Sequence, residues 1–233
     1  MNIFKNKWRK SMIKERKGDL LRSDAAIIAH QVNCQGVMGA GVARQIRHRI
    51  LTAEQYRAYQ QICRKNKEEL LGFCSLMLRM DTGATQYVAH LFAENIPTGR
   101  GLDTDYAALR QSLTAMMFLA AQRELSQIAI PGYLGCGLAG GDWETVYSRI
   151  LIPLFSESCF TLTILYLPDS IRRLWTEFGD IPMNPETECI EQAWHGFSAG
   201  THREEIWHWF EETFQISVAE ALMYSGNPNR IMR

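Results

Sequence analysis

Twice in this chain an apolar run suited to a buried strand leads into a glycine-rich turn and then into a helix start. The first copy is Ala25–Asn33 followed by Cys34-Gln35-Gly36-Val37-Met38-Gly39-Ala40-Gly41-Val42-Ala43. The second is Gln127–Pro131 followed by Gly132-Tyr133-Leu134-Gly135-Cys136-Gly137-Leu138-Ala139-Gly140-Gly141-Asp142-Trp143. A continuous apolar run ending in polar groups reads as a strand covered on both faces, as in a parallel sheet. Glycine lets backbone approach a ligand closely and reaches conformations that turn amide N–H groups inward. A helix N-terminus adds free N–H donors and partial positive charge, which suits phosphate. In a parallel α/β sheet both turns fall at the carboxyl ends of strands, the usual ligand edge. Two such cradles facing one crevice suit a diphosphate.

The remaining pattern fits the same architecture. Met12–Lys17 reads as an edge strand. Helices are expected from Val42, over Glu54–Lys67, over Asp103–Glu124 and over Trp143–Phe155. Further strands are expected over Phe73–Met80, Gln86–Asn95 and Leu162–Leu167. Leu109, Leu113, Met116, Met117 and Ala120 recur at helical spacing in the longest helix. Strands alternating with helices predict a three-layer α/β/α sandwich with a mostly parallel mixed sheet. We assign it residues 12–178, after a flexible leader over 1–11, with Met12 as a possible native start.

Composition shifts at Gly179-Asp180-Ile181-Pro182-Met183-Asn184-Pro185, which reads as a linker. Beyond it, Thr201-His202-Arg203-Glu204 and Ser217-Val218-Ala219-Glu220 match the capping-box pattern of helix starts. A small C-terminal helical appendage is therefore expected over 186–226. Trp194, Trp207, Trp209 and Phe210 read as its mini-core, and docking, self-association and a protein partner for these helices all stay open. Cys189, His195, His202 and His208 match no zinc spacing.

Formal net charge is zero, so no overall basic field draws nucleic acid, although Lys5–Lys17 is locally basic. The six cysteines include no Cys-x-x-Cys pair, which argues against both a zinc ribbon and a secreted disulfide scaffold. No apolar run approaches the ~20 residues that span a bilayer. A soluble, cytoplasmic protein without membrane contact, bound metal or cofactor is the expectation.

Neither glycine turn matches the dinucleotide fingerprint G-x-G-x-x-G, and neither carries a Walker lysine. Instead, Lys17-Gly18-Asp19-Leu20, Ile28-Ala29-His30-Gln31-Val32-Asn33-Cys34, Met38-Gly39-Ala40-Gly41-Val42-Ala43, Ile130-Pro131 and Gly135-Cys136-Gly137-Leu138 together resemble a macrodomain. They are most similar to the class holding the terminal ADP-ribose protein glycohydrolase, the ADP-ribose 1''-phosphate phosphatases and the antitoxins that remove ADP-ribose from DNA. The resemblance runs from Met12 to Leu167. It implies binding of ADP-ribose or a derivative, on its own or attached to protein or nucleic acid, and hydrolysis of the 1''-phosphate or of an ADP-ribosyl linkage. A non-catalytic reader is the alternative.

The resemblance also implies roles. Asp19, with Leu20, would hold the adenine. Asn33, Cys34, Gly36, Met38, Gly39, Ala40, Gly41 and Val42 would hold one phosphate and the distal ribose. Pro131, Leu134, Gly135, Cys136, Gly137, Leu138 and Ala139 would wrap the diphosphate from the other side. Glycohydrolases of this class use a lysine where Gly99 stands here, beside Arg100, and an arginine does not give up its proton to form an adduct. The catalytic candidates are then His30 and Asp142 as bases toward a water, with Asn33 positioning. A core histidine and a helix N-cap are the competing readings of His30 and Asp142.

Overall fold

The computed structural model describes residues 12–80 and 82–167. The expected leader, the linker and the helical unit over 186–226 lie outside the described residues.

Six strands form one sheet: β1 (Met12–Lys17), β2 (Ile27–Asn33), β3 (Cys74–Leu78), β4 (Tyr87–Glu94), β5 (Gln127–Pro131) and β6 (Thr161–Tyr166). Their order is β1-β6-β5-β2-β4-β3. Every pairing is parallel except β3 with β4, so the sheet is mixed and mostly parallel, as expected. Met12–Lys17 is indeed an edge strand, because it pairs only with β6.

Helices cover both faces. α1 (Gly41–Arg49) and α2 (Ala53–Asn66) lie on one side, where Ile46 and Ile50 pack on Ile28, Val88 and Ala129, and Tyr59 and Cys63 pack on Val32 and Phe92. On the other side α3 (Tyr106–Ala121) presents Leu109, Leu113, Met116 and Ala120 to Ile27, Ala29, Ala89 and Leu91. Beside it, α4 (Trp143–Val146) and α5 (Ile152–Phe155) cover Ile128, Ile130, Leu162 and Ile164. Ile27 and Ala29 face one of these cores and Ile28 and Val32 the other, which explains the apolar start of β2.

Two helices depart from the sequence expectation by more than a one-residue shift of their ends. α3 starts at Tyr106 because the Asp105 carboxylate caps it, accepting from the Ala108 N–H at 2.9 Å. Asp103, the expected start, instead belongs to the loop before it. Trp143–Phe155 is helical throughout but not one α-helix: Tyr147–Leu151 is a π turn in which the Ile152 N–H donates to the Tyr147 carbonyl. Pro153 has no N–H to give the Arg149 carbonyl four residues back, and the Arg110 guanidinium donates to that oxygen at 3.3 Å.

Candidate functional site

Three loops leave the carboxyl edge of the sheet side by side, from β2, β5 and β4. The first, residues 34–40, is shaped by Asn33. Its Oδ1 accepts from the N–H groups of Gln35 and Val37, each at 3.1 Å, and its Nδ2 donates to the Val37 carbonyl at 2.7 Å. From behind, the Tyr59 hydroxyl donates to the Asn33 carbonyl at 2.9 Å and the Tyr56 hydroxyl to the Gly36 carbonyl at 3.2 Å. α2 thus draws the carbonyls of this loop away from the sheet edge. α1 follows, with Ala40 at its N-cap and no side-chain cap bond. Its first-turn N–H groups receive nothing from a capping side chain, which suits an anion.

The second loop, residues 132–142, folds on itself. The Cys136 N–H donates to the Tyr133 carbonyl, Gly140 to Gly137 and Gly141 to Gly135, all near 3 Å. Gly135 has φ +74, and a Cβ there would lie 2.5 Å from Gln31 Oε1 on β2. Gly140 has φ +66, and a Cβ there would run into the Gly101 carbonyl. A larger residue at Gly140 would have to move backbone, and at Gly135 it would displace the Gln31 and Thr104 side chains and hold a positive φ.

The third loop, residues 95–105, ties the other two together. Its own turn is closed by Asp103, whose carboxylate accepts from the Thr98 hydroxyl at 2.6 Å and the Gly99 N–H at 2.7 Å. These bonds, the hydroxyl first, hold the Asp103 carboxyl below the ordinary aspartate range. The N–H groups of Asp103 and Thr104 both donate to the Ala139 carbonyl, at 2.8 and 3.0 Å. Thr104 also donates its hydroxyl to the Gly135 carbonyl at 2.6 Å and accepts from Gln31 Nε2 at 2.9 Å. At the loop's other end Gln35 Nε2 reaches the Asn95 carbonyl and Oδ1, each at 3.3 Å. The sequence reading missed Gln31, Thr104 and Asp103 in this role. A Pro-Thr-Gly turn followed by two aspartates was the signal available.

Of the residues singled out from the sequence, Asp19 sits at the end of β1, mostly buried. Its Oδ1 accepts from the Leu21 N–H at 2.9 Å and its Oδ2 faces Arg49 Nη1 at 3.6 Å. Leu20 is buried beside it. Cys34, Met38, Leu134 and Ala139 point their side chains into the interior, so their only open contribution to a ligand is backbone. Gly36 is buried; Gly39, Ala40, Gly41 and Gly137 are exposed, Val42 and Pro131 are half-buried, and Leu138 stands far out. Burial raises the Cys34 and Cys136 thiols to about 11, which keeps both protonated.

Two catalytic candidates have their side chains engaged within the fold. His30 is 1% exposed and lies in the core between the sheet and α2, not on the crevice. Its Nε2 lies 2.7 Å from His90 Nδ1, and His90 Nε2 lies 3.4 Å from Met77 Sδ. A thioether sulfur only accepts, so His90 carries its proton on Nε2, His90 Nδ1 accepts, and His30 Nε2 donates. Burial, then His90, holds His30 well below the ordinary histidine value. In this arrangement the imidazole is buried and engaged with His90. Asp142 is the N-cap of α4, accepting from the Thr145 hydroxyl at 2.7 Å and the Thr145 N–H at 2.8 Å. Those bonds hold its carboxyl below the ordinary range, which makes it a poorer base. Asn33 remains at the crevice edge, where the first loop takes both acceptor sites of its Oδ1 and one of the two Nδ2 protons.

Among the described residues no group of three or more histidine, cysteine or acidic side chains is placed to hold a metal ion, and no helix is long and apolar enough to cross a membrane. Chemically the edge offers glycine turns with positive φ beside a helix start that no side chain caps, a setting for an anion.

Known proteins share this design. The macro domain family model matches residues 29–150, just over half of the chain. A DNA ADP-ribosyl glycohydrolase of Mycobacterium tuberculosis is 30% identical over 220 residues, covering 93% of this chain and 59% of the relative. The chain thus spans about three-fifths of the length of that relative. The solved macrodomain of Mycobacterium tuberculosis DarG superposes with a TM-score of 0.56 at 26% identity, over 68% of this chain and 99% of that one. Thermosipho africanus DarTG, solved in complex with ADP-ribose, superposes at 0.56 with 19% identity over 68% of this chain and 43% of that one, a likeness of fold. The chain belongs to the macro domain family.

Proposed function

We propose that this protein binds ADP-ribose across the first and second loops and hydrolyses an ADP-ribose derivative, with an ADP-ribosyl linkage to DNA as the leading substrate. The observation that carries the reading is the convergence of two glycine turns at the ends of neighbouring parallel strands, β2 and β5, locked in register by Gln31, Thr104 and the Gly135 carbonyl. A pyrophosphate lying between them meets backbone N–H groups from both sides and the start of α1. Asp19 stands at the β1 end, where a carboxylate oxygen can accept from the adenine amino group. Asn33 acts by holding the first loop open toward the distal ribose. The similarity to a DNA ADP-ribosyl glycohydrolase favours DNA over ADP-ribosylated protein and over the 1''-phosphate. A cytoplasmic location accords with such a substrate.

One observation favours a second reading, a non-catalytic reader of ADP-ribosylated targets. Gly99 occupies the position at which the resemblance implies a lysine, and its N–H serves only the Asp103 turn. Titration calorimetry with ADP-ribose tests the binding. Turnover of ADP-ribosylated DNA, ADP-ribosylated protein and ADP-ribose 1''-phosphate tests the reaction. Binding without turnover of any of the three identifies a reader; absence of binding removes both readings.

A further inference from the structure

The carboxylates at the carboxyl edge of the sheet differ in what holds them. Asp19 accepts from the Leu21 N–H and faces Arg49. Asp103 closes its own turn, Asp105 caps α3 and Asp142 caps α4. Glu94, the last residue of β4, is half-buried, and among the described residues its carboxylate has neither a hydrogen bond nor an ion pair. Its backbone, by contrast, is fixed from both sides. The Cys34 N–H of the first loop donates to the Glu94 carbonyl at 2.8 Å, and Glu94 forms an isolated bridge with Thr104 of the third loop. The register of β2 with β4 shifts at this point: Val32 lies opposite Phe92, but Asn33 lies opposite Glu94, with Ala93 as the extra residue. A bulge of this kind re-aims the side chain beyond it, and bulges concentrate next to active sites. It sets the Glu94 backbone ~5 Å from that of Asn33, the residue that shapes the first cradle. Burial, then the charge of Asp103, raises the Glu94 carboxyl above the ordinary glutamate range. Asp103 and Asp142 are shifted the other way. A carboxylate without a partner and more basic than its neighbours suits proton transfer. Residues 95–105 include no lysine to form an adduct with the ribose, so attack falls to water.

Resting on the reading of the crevice as a site of ADP-ribosyl hydrolysis, we infer that Glu94 is the general base that takes a proton from the attacking water. The water oxygen bonds to the anomeric carbon of the distal ribose. The bond from that carbon to the departing group breaks, and its electron pair leaves with that group. The water proton passes to the Glu94 carboxylate and from there to the departing group, which returns the carboxylate to its starting state. Two titratable groups lie within electrostatic reach of Glu94: Asp103 on the third loop and Cys34 on the first. Cys34 stays protonated at neutral pH, so the Asp103 charge is the one that keeps Glu94 basic. Asp103 itself is tied to Thr98 and Gly99, which fixes that charge in place.

The test uses the full chain with Glu94→Gln and Glu94→Asp. The probes are a DNA oligonucleotide and a peptide, each bearing ADP-ribose, with free ADP-ribose for affinity. Glu94→Gln keeps the shape of the side chain and removes the base. On a probe that wild type hydrolyses, its kcat should fall by ~10²-fold or more while KM and ADP-ribose affinity stay within about threefold. In wild type kcat should rise with pH through a value above the ordinary glutamate value of ~4.3 and then level off. That limb should vanish in Glu94→Gln and persist, at a lower rate, in Glu94→Asp. A Glu94→Gln kcat within about threefold of wild type overturns the assignment, as does a parallel loss of turnover and ADP-ribose affinity, which marks a structural role. Wild type that binds ADP-ribose but hydrolyses neither probe removes the hydrolytic reading, and the role of Glu94 with it. Intact hydrolysis in Glu94→Gln removes the base alone.

Discussion

The histidine pair in the core makes stability depend on pH in a range where carboxylates stay ionised. His90 is fully buried and burial holds it at about 3, against an ordinary value of 6.5. His30 is held well below that value too. In the unfolded chain both titrate near 6.5, so as pH falls through that value the unfolded state binds protons that the native state refuses. The unfolded state then holds more protons, and stability declines as pH falls. Stability is therefore complete above the unfolded value and is lost progressively toward the folded one. Between about pH 7.5 and about pH 5.5 each histidine should cost about 1.4 kcal/mol, or ~3 kcal/mol for the pair. Against a typical total of ~5–15 kcal/mol this is a large share. His48, lowered by burial and by Arg47 and Arg44, contributes in the same direction. Urea unfolding of the full chain at the two pH values reads the loss. His90→Leu should shrink the pH-dependent part by about half, whatever it does to absolute stability. NMR of the native protein provides the second check, since neither ring should titrate down to about pH 5. A ring titrating between about 6 and 7 in the native state, or unfolding free energy flat across the range, refutes the reasoning.

Other expectations follow from the loops. Gly140→Ala must adopt a left-handed backbone at ~1 kcal/mol and also push the Gly101 carbonyl away; ADP-ribose affinity should drop at least tenfold by calorimetry. Asn33→Ala removes three hydrogen bonds from the first loop, worth roughly 1 kcal/mol each; Asn33→Asp, which keeps the two accepted bonds, should bind ADP-ribose more tightly than Asn33→Ala. Asp142→Asn keeps a competent cap and should leave turnover within a few-fold; a loss of ~10²-fold or more would restore Asp142 as a base. Cys136, raised to about 11 by burial and then Asp142, should react with iodoacetamide slowly at neutral pH, with the rate climbing only as that value is approached.

The sheet was legible because its central strands are long apolar runs whose two faces both meet helices, so local pattern and tertiary burial agree. Ala25–Asn33 needed only trimming to Ile27–Asn33, and Gln127–Pro131 stands as read. The helix around Pro153 was legible as helix but not as a π turn, because the partner of the freed Arg149 carbonyl comes from Arg110, on another helix. His30 shows the same limit at the site. Its sequence neighbourhood suited a base at a strand end equally well, and what decides its place is His90, sixty positions away on an adjacent strand.

The glycine turns were legible as backbone features, and this explains which members of the candidate site sequence could rank and which it could not. A motif such as Gly-Cys-Gly-Leu marks where the chain turns N–H groups inward, but it does not separate side chains that line a crevice from those that anchor its wall. Cys34, Met38 and Leu134 anchor; their burial holds the amides in place. The residues that set the spacing between the two cradles, Gln31, Thr104 and Asp103, carry no glycine signature at all and act through partners distant in sequence or on their own turn. Thr104 bonds Gln31, Gly135 and Ala139 at once, so a single threonine joins the third loop to strand β2 and to the second loop, which lie far apart in sequence. For that reason Thr104→Val, nearly the same shape without the hydroxyl, is the sharpest probe of the site's architecture. It leaves the Gln31 amide without its partner and the Gly135 carbonyl with the Gly141 N–H alone, while the Ala139 bonds remain. ADP-ribose affinity should fall by ~10-fold or more with the fold intact by circular dichroism, at ~1–3 kcal/mol for the stranded groups. Unchanged affinity would mean that the two cradles hold their separation without the third loop.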